Sequence, residues 1–359
     1  IPCVKIINKI SIILVILLII VIPIVIFTLN SNTNKVIEQN AQNAQNYAKT
    51  SAETKTKLEN EYNAISAEIP GIVCIGSDLM ASTGTIKTSL ATELQTKLTN
   101  KGYKIPITNL AVQGENNLTI LGRLGITPFV VKETVTIPEK ADLVEIKVES
   151  SGDGYVWPLA VSSDNAHINP VTIDGQIGML GGESLKDETT GENKHYFVRT
   201  EDGEPFTIHA GSKVETSCDD EYKDYVHIIW IGENDNWTDF EDLAEDIQKI
   251  VDSCGKNKSR YIVMGLPKGS NEGMENYDEI MSEYFGSHYV NVRKYLTSYD
   301  LKKTSIKFTN SDLEQQKNGI VPKCLLLDNG NLNDEAYKLV TEVVYNSLVA
   351  NDCIRRPTN

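Results

Sequence analysis

The most constraining feature of this sequence is an uncharged apolar segment that runs from Ile10 to Leu29. As a helix it would be about 30 Å long, which matches the hydrocarbon thickness of a bilayer. A cleaved signal peptide has a shorter apolar core followed by small residues at its cleavage site, so we expect this segment to be retained. Lys5 and Lys9 precede it and favour a cytoplasmic N-terminus with an exported remainder. Pro23 would remove one helical hydrogen bond and kink the segment.

The next stretch, from Asn34 to Ile69, has the pattern of a long amphipathic helix. Residues that are mostly small or apolar recur at alternating intervals of three and four, and no Pro or Gly occurs before Pro70. The predicted seam consists of Ile37, Ala41, Ala44, Ala48, Ser51, Lys55, Leu58, Tyr62, Ile65 and Ile69. Two interpretations remain open. The helix is either a solvated stalk that holds a domain away from a membrane, or it packs against copies of itself, since Ala and Ser let backbones approach closely.

An apolar N-terminal helix that continues into an amphipathic half bearing a globular head resembles type IV pilins and related filament subunits. The resemblance implies a membrane or filament-core helix over residues 1–33 and a helical stalk over residues 34–70. It also implies that the chain assembles with copies of itself through this helix. The implied assembly residues are Pro23, Ile37, Ala41, Ala44, Ala48, Leu58 and Tyr62.

The charge and cysteine content narrow the class of protein. The 359 residues include 34 Lys and Arg against 49 Asp and Glu, a net charge of −15. This acidity argues against nucleic acid as a partner, because neutralising phosphates needs clustered Lys and Arg. Six cysteines are too few for a disulfide scaffold. An exported domain still allows pairing among Cys218, Cys254, Cys324 and Cys353, and three connectivities remain open.

After Pro70, short apolar runs alternate with amphipathic helical patterns. The predicted strands are Ile72–Ile75, Ile107–Val112, His227–Ile231, Tyr261–Leu266 and Tyr289–Val292. The predicted helices are Ile86–Asn100, Asp239–Ser253, Met274–Phe285 and Asp334–Ala350. This alternation predicts an α/β domain with a parallel sheet covered on both faces. Ligands of such sheets bind outside the carboxyl ends of the strands, so the residues that follow each run are the candidate site.

Between Pro128 and Ser217 the helical pattern is replaced by strand-like runs and turns. We therefore expect residues 128–217 to form a small β-sandwich or barrel inserted into the α/β domain, which would comprise residues 71–127 and 218–359. The aromatic residues of this insert would form either its core or a surface that stacks on carbohydrate. They are Tyr155, Trp157, Tyr196 and Phe197.

Four blocks at the predicted strand ends resemble those of the SGNH (GDSL-type) hydrolase family, esterases and deacetylases that act on acyl groups, often on carbohydrates. The blocks are Ile75–Leu79, Asn109–Glu115, Ile231–Asp235 and Asp328–Asn333, the last followed by Ala336 and Tyr337. The resemblance extends over residues 71–350 and implies a flavodoxin-like three-layer α/β/α fold. It also implies that Gly114 supplies an oxyanion-hole amide and that Asn234 supplies a side-chain donor to the same hole.

The sequence departs from the family pattern at the residues that would perform catalysis. The family reads Gly-Asp-Ser with Ser as nucleophile, whereas this chain reads Gly-Ser77-Asp78, so Asp78 stands in the nucleophile's place. The family's Asp-x-x-His corresponds here to Asp328 and Asn331, and an amide cannot act as the base because it does not titrate. A carboxylate at position 78 would also oppose the negative charge that develops in an acyl-transfer transition state.

These features predict a catalytically inactive head on an assembling helix, in an extracellular or cell-surface structural subunit of a pilus-like filament. The vestigial site would comprise Ser77, Asp78, Gly114, Asn234, Asp328 and Asn331. We expect no cofactor and no metal; convergence of the four Asp and Asn side chains would instead offer oxygen ligands to Ca²⁺. The expected partners are copies of the chain, the membrane before or during assembly, and cell-surface carbohydrate. The alternatives are a single-pass membrane-anchored esterase or deacetylase of cell-surface polysaccharide, and an anchored monomeric sugar-binding protein.

Overall fold

The computed structural model describes residues 69–82, 88–150, 168–186, 193–218, 221–234, 237–255 and 259–355, with seven positions between 35 and 50. Those seven positions are helical and exposed: Lys35, Gln39, Gln42, Gln45, Asn46, Lys49 and Thr50. The apolar segment 10–29 and the predicted assembly residues lie outside the described residues: Pro23, Ile37, Ala41, Ala44, Ala48, Leu58 and Tyr62. Among the residues that are described, none of the helices has the length and apolarity needed to span a bilayer. The chain divides into two units, residues 1–67 and 68–359.

The second unit contains the elements that position the site. Its first half consists of β1 (Ile72–Gly76), α1 (Asp78–Ala81), α2 (Leu90–Asn100), β2 (Ile107–Asn109), α3 (Asn117–Arg123), β3 (Phe129–Val131), β4 (Val135–Ile137), β5 (Val144–Ile146), β6 (Val148–Ser150), β7 (Val171–Ile173), β8 (Gln176–Lys186), β9 (Asn193–Arg199), β10 (Phe206–Ile208) and β11 (Lys213–Glu215). The second half consists of β12 (Val226–Trp230), α4 (Phe240–Ser253), β13 (Tyr261–Met264), α5 (Glu275–Phe285), β14 (Tyr289–Val290), α6 (Val292–Ser298), α7 (Asn310–Lys317) and α8 (Asp334–Ala350).

Five parallel strands form the first sheet, in the order β2-β1-β12-β13-β14. Every residue of β1 and β12 is buried, as expected for central strands covered on both faces. The chain moves one way along the sheet from β1 to β2 and the other way from β12 to β14. Because such crossovers are right-handed, α2 covers one face while α4 and α5 cover the other. The carboxyl ends of β1 and β12 therefore meet where the strand order reverses.

Side-chain caps fix where the main helices begin. Ser89, Asp239 and Asn333 each accept a hydrogen bond from the backbone amide three residues later, at the starts of α2, α4 and α8. The buried faces of these helices pack on the sheet around large aromatic side chains. The Trp230 indole donates to the Gly265 carbonyl at 3.1 Å, and its ring meets that of Tyr337 edge to face.

The observed elements confirm the parallel α/β sheet and correct several predicted boundaries. We predicted that the second strand reaches Val112, but β2 ends at Asn109, whose side chain accepts the Ala111 amide and turns the chain. The last strand also ends earlier than predicted, because Asn291 caps α6, which begins at Val292. The helices α1, α3, α6 and α7 were not predicted, since they are too short to show a clear apolar period.

The described part of the inserted segment is all-β, as predicted, and its strands form a seven-stranded sheet in the order β5-β9-β8-β7-β11-β3-β6, with a separate β4–β10 ribbon. Only Lys147 separates β5 from β6, so the segment Val144–Ser150 pairs with β9 on one side and with β3 on the other. The sheet thereby curves into a near-barrel with a core of its own, in which Phe197 is fully buried. Tyr196 is half-buried on the opposite face, while Tyr155 and Trp157 lie outside the described residues.

The cysteines of the described residues are free thiols, which answers the question of pairing that the sequence left open. They are Cys74, Cys218, Cys254, Cys324 and Cys353. Three of the buried thiols contact a backbone carbonyl within their own part of the core rather than a second cysteine.

Candidate functional site

The candidate site lies at the carboxyl ends of β1, β2 and β12. Ser77 follows β1 directly, and Glu233 follows β12 by three residues. Close packing of the strand ends requires glycine at Gly76, because a Cβ atom there would lie 2.4 Å from the Trp230 carbonyl oxygen. Gly232 has a φ of +101°, which a residue with a side chain adopts only with strain. These two glycines bring the two loops into contact.

One oxygen of Asp78 occupies the hole that the family resemblance assigns to the oxyanion. Asp78 Oδ2 accepts a hydrogen bond from the Gly114 amide at 3.1 Å and another from Asn234 Nδ2 at 2.9 Å. Asn234 Nδ2 also donates to the Glu115 carbonyl at 2.8 Å, which orients the amide toward Asp78. The two donors that the resemblance would assign to an oxyanion hole thus both bind a carboxylate of the chain itself.

Ser77 is held away from solvent by Glu233. The Ser77 hydroxyl donates to Glu233 Oε1 at 2.5 Å, and the Leu79 amide donates to the same oxygen at 2.8 Å. Glu233 therefore accepts the amide at the start of α1 that the Ser77 side chain leaves uncapped. Asn234 Nδ2 approaches the hydroxyl at 3.3 Å, and only 1% of Ser77 is exposed.

Glu233 is a member of the candidate site that the sequence did not single out. Burial raises its pKa to about 7, and the negative charge of Asp78 acts in the same direction. The hydrogen bonds from Ser77 and Leu79 and the charge of Lys268 oppose this shift. Its second oxygen, Oε2, is buried without a hydrogen-bond partner among the described residues. The signal in the sequence was an acid inside the third block, directly before the predicted donor Asn234.

A buried ion pair supports the loop that carries Gly114. Arg123 Nη2 lies 2.6 Å from Glu115 Oε2, and Arg123 Nε donates to the same carboxylate. Neither side chain is exposed. The Arg123 carbonyl accepts hydrogen bonds from Thr216 Oγ1 at 2.6 Å and Cys218 Sγ at 2.7 Å. The pair thus stands where the insert rejoins the α/β domain.

The last predicted block contributes differently from the other three. Asp328 is exposed and Asn331 half-buried in a loop closed by a bridge between Leu326 and Leu332. The loop precedes α8, which reaches the site through Tyr337, whose hydroxyl donates to the Leu79 carbonyl at 2.5 Å. Direct hydrogen bonds therefore join Ser77, Asp78, Gly114 and Asn234. The helix α8 supports this group through the hydrogen bond that Tyr337 donates to Leu79. As for the Ca²⁺ alternative, the described residues contain no group of three or more His, Cys, Asp or Glu placed to hold a metal ion.

The chemistry available to this arrangement is limited by access. Glu233 has a pKa near neutrality and lies beside the Ser77 hydroxyl, and a nucleophile–base pair needs these two groups. The hydroxyl is buried, however, and the adjacent donors already bind Asp78. Ser77 thus lies buried in a hydrogen-bond network whose Asp78 and Asn234 are half-buried and whose Gly114 is exposed.

Comparison of the chain with protein-family models, with curated proteins and with solved structures found no match.

Proposed function

We propose that this chain is a structural subunit of an extracellular, pilus-like filament, with an SGNH-like head that does not catalyse hydrolysis. The observation that carries the loss of catalysis is the contact of Asp78 Oδ2 with both Gly114 N and Asn234 Nδ2. An acyl-transfer intermediate would need those donors for its own oxyanion. Removing a single such donor costs an enzyme about 3 kcal/mol of transition-state stabilisation, and here both are occupied by a carboxylate.

The assembly role is supported by the pattern of the N-terminal region. An uncharged apolar segment followed by a seam of small residues fits a helix that packs against copies of itself. The described positions between 35 and 50 are polar, helical and exposed, which is compatible with such a helix. The proposed location is the cell surface, with the membrane as a partner before or during assembly.

The first prediction concerns catalysis. The full chain in detergent is expected to show no turnover of p-nitrophenyl acetate or acetylated sugars above buffer, because its oxyanion donors are occupied. The matched variant combines Ser77→Asp, Asp78→Ser and Asn331→His, which restores the family pattern; activity in this variant would support the block alignment. Turnover by the wild type that disappears in Ser77→Ala would show that the head is an enzyme.

A second candidate function, a surface esterase or deacetylase, is favoured by one contact. Ser77 donates to a carboxyl group whose pKa is about 7, so a base stands beside a hydroxyl. This function would require Asp78 to leave its donors and Ser77 to become exposed. We rank it second because both changes would break hydrogen bonds that the folded site already makes.

The second prediction concerns assembly. Replacing both Ala44 and Ala48 with Leu is expected to abolish fibres, because larger side chains overfill a seam that recurs in every subunit. A solvated stalk would tolerate both changes, since exposed substitutions have small effects. The measurement is fibre yield by negative-stain electron microscopy, with Gln42→Leu and Gln45→Leu on the exposed side as the matched control. Normal fibres from the Ala44 and Ala48 variant would contradict the packed seam.

A further inference from the structure

Glu233 contacts the rest of the site through only one of its two carboxyl oxygens. Oε1 accepts the Ser77 hydroxyl at 2.5 Å and the Leu79 amide at 2.8 Å. Oε2 is buried and has no hydrogen-bond partner among the described residues. A buried charge needs donors or a counter-ion, so a neutral carboxyl tolerates this inward position better than a carboxylate does.

The groups that face Glu233 from other elements differ in how they act on its charge. Asp78, at the start of α1, repels a negative charge there, whereas Lys268, in the loop after β13, attracts one. Burial and the charge of Glu233 raise the pKa of Tyr337, on α8, to about 12, so this hydroxyl stays neutral. The Glu115 carboxylate, on the loop after β2, is already neutralised by its own ion pair. Lys268 is thus the group that favours a charged Glu233, and it is exposed.

The loop that carries Lys268 is fixed on both sides of this residue. The Leu266 amide donates to the buried Tyr277 hydroxyl at 3.1 Å. Asn271 Oδ1 accepts a hydrogen bond from the buried guanidinium of Arg293 at 2.8 Å. The backbone of Lys268 is therefore held beside the site, where its flexible side chain can meet a carboxylate that turns toward solvent.

We propose that Glu233 is a two-position switch that uncovers Ser77 as the pH rises. In the inward position, the neutral carboxyl covers Ser77 and accepts its hydroxyl. In the outward position, the carboxylate has released its proton to solvent and lies beside Lys268 in water. Water then replaces Glu233 at the Ser77 hydroxyl and at the Leu79 amide. The inference concerns the head alone and does not depend on assembly into a filament.

The pH range of the switch follows from linkage between protonation and position. Burial raises the pKa of the inward carboxyl to about 7, whereas an outward side chain in water would titrate near its ordinary value of 4.5. The inward position is therefore most favoured below pH 4.5, and this preference is lost as the pH rises toward 7. Between pH 4.5 and 6.5, we expect the population of the outward position to rise at least tenfold.

Hydrogen exchange at the Leu79 amide measures this opening in the full chain in detergent. After correction for the intrinsic exchange rate, the protection of this amide is expected to fall at least tenfold between pH 4.5 and 6.5. The matched variant Glu233→Gln has nearly the same shape and does not titrate, so its protection is expected to stay constant. An equal fall in both proteins, or no fall in the wild type, would overturn the switch.

A second amide separates local opening from unfolding of the domain. Ile228 lies in the buried centre of β12, so its amide exchanges when the parallel sheet unfolds. We expect the protection of Ile228 to change less than threefold over the same pH range. A matching tenfold fall at Ile228 would mean that the whole domain unfolds, which would overturn a switch confined to the site.

Variants of Lys268 test the outward position without altering a buried group. Lys268→Gln removes the counter-ion, so at pH 6.5 the Leu79 amide is expected to be about two- to threefold better protected than in the wild type. Lys268→Arg keeps the charge and is expected to behave as the wild type. If Lys268 acted only on the inward carboxyl, Lys268→Gln would instead lower the protection, which would contradict the outward position.

Discussion

Replacing Arg123 with Met is expected to lower the free energy of unfolding by about 3–5 kcal/mol, because the substitution leaves Glu115 buried without its counter-ion. The two side chains are fully buried and joined by several charge-assisted hydrogen bonds. Burial by itself raises the pKa of Glu115, so the orphaned carboxyl would have to remain charged at a cost or take up a proton. Urea denaturation followed by circular dichroism at pH 7 measures the loss.

The matched control replaces both partners at once. Arg123→Met combined with Glu115→Leu removes the charges together, and such double replacements are often neutral or stabilising. We expect the double variant to recover most of the stability that Arg123→Met loses. A single variant within about 1 kcal/mol of the wild type would contradict the assignment of a buried ion pair.

We expect Glu233 and His227 to change the free energy of unfolding in opposite directions as the pH rises. Burial lowers the pKa of His227 to about 4 against an ordinary value of 6.5, so the unfolded chain binds a proton that the folded one excludes. This stability is present above pH 6.5 and is lost as the pH falls toward 4. Glu233 has its pKa raised from 4.5 to about 7, so its contribution is present below pH 4.5 and is lost as the pH rises through 7. Each effect amounts to about 3 kcal/mol.

Single substitutions separate the two effects. Between pH 4.5 and 6.5 the two slopes largely cancel in the wild type. As the pH rises from 4.5 to 7, the free energy of unfolding of Glu233→Gln is therefore expected to increase by about 3 kcal/mol relative to the wild type. As the pH falls from 6.5 to 4, that of His227→Asn is expected to increase by a similar amount relative to the wild type. Denaturant titrations across this range measure both differences. A difference independent of pH in either variant would show that the group is not buried in its neutral form.

Long periodic segments could be predicted from the sequence, and short ones could not. The parallel sheet was predicted from the apolar runs of β1 and β12. Its covering helices were predicted from the amphipathic pattern of α4 and α8. The helix α7 begins after a capping box between Thr309 and Asp312 and has almost no apolar side, so no helix was predicted there. Local capping, rather than periodicity, decides such elements.

The candidate site was predicted in part for a similar reason. The family resemblance assigned Asp78, Gly114 and Asn234 to one site, and hydrogen bonds join these residues in the structure. Glu233 could not be identified in advance, because its importance depends on burial and on which way its side chain turns after β12. Sequence shows that a carboxyl group is present, whereas only the packed fold shows that it is shielded from water.

The way the barrel joins the α/β domain has a consequence for how this protein can diverge. The chain leaves the domain shortly after Arg123 and returns through Thr216 and Cys218, both of which bind the carbonyl of that residue. An insertion whose two ends meet at one point can be shortened, lengthened or exchanged without separating the strands on either side. We therefore expect relatives of this chain to keep the parallel sheet while carrying insertions of different length and fold at the same position.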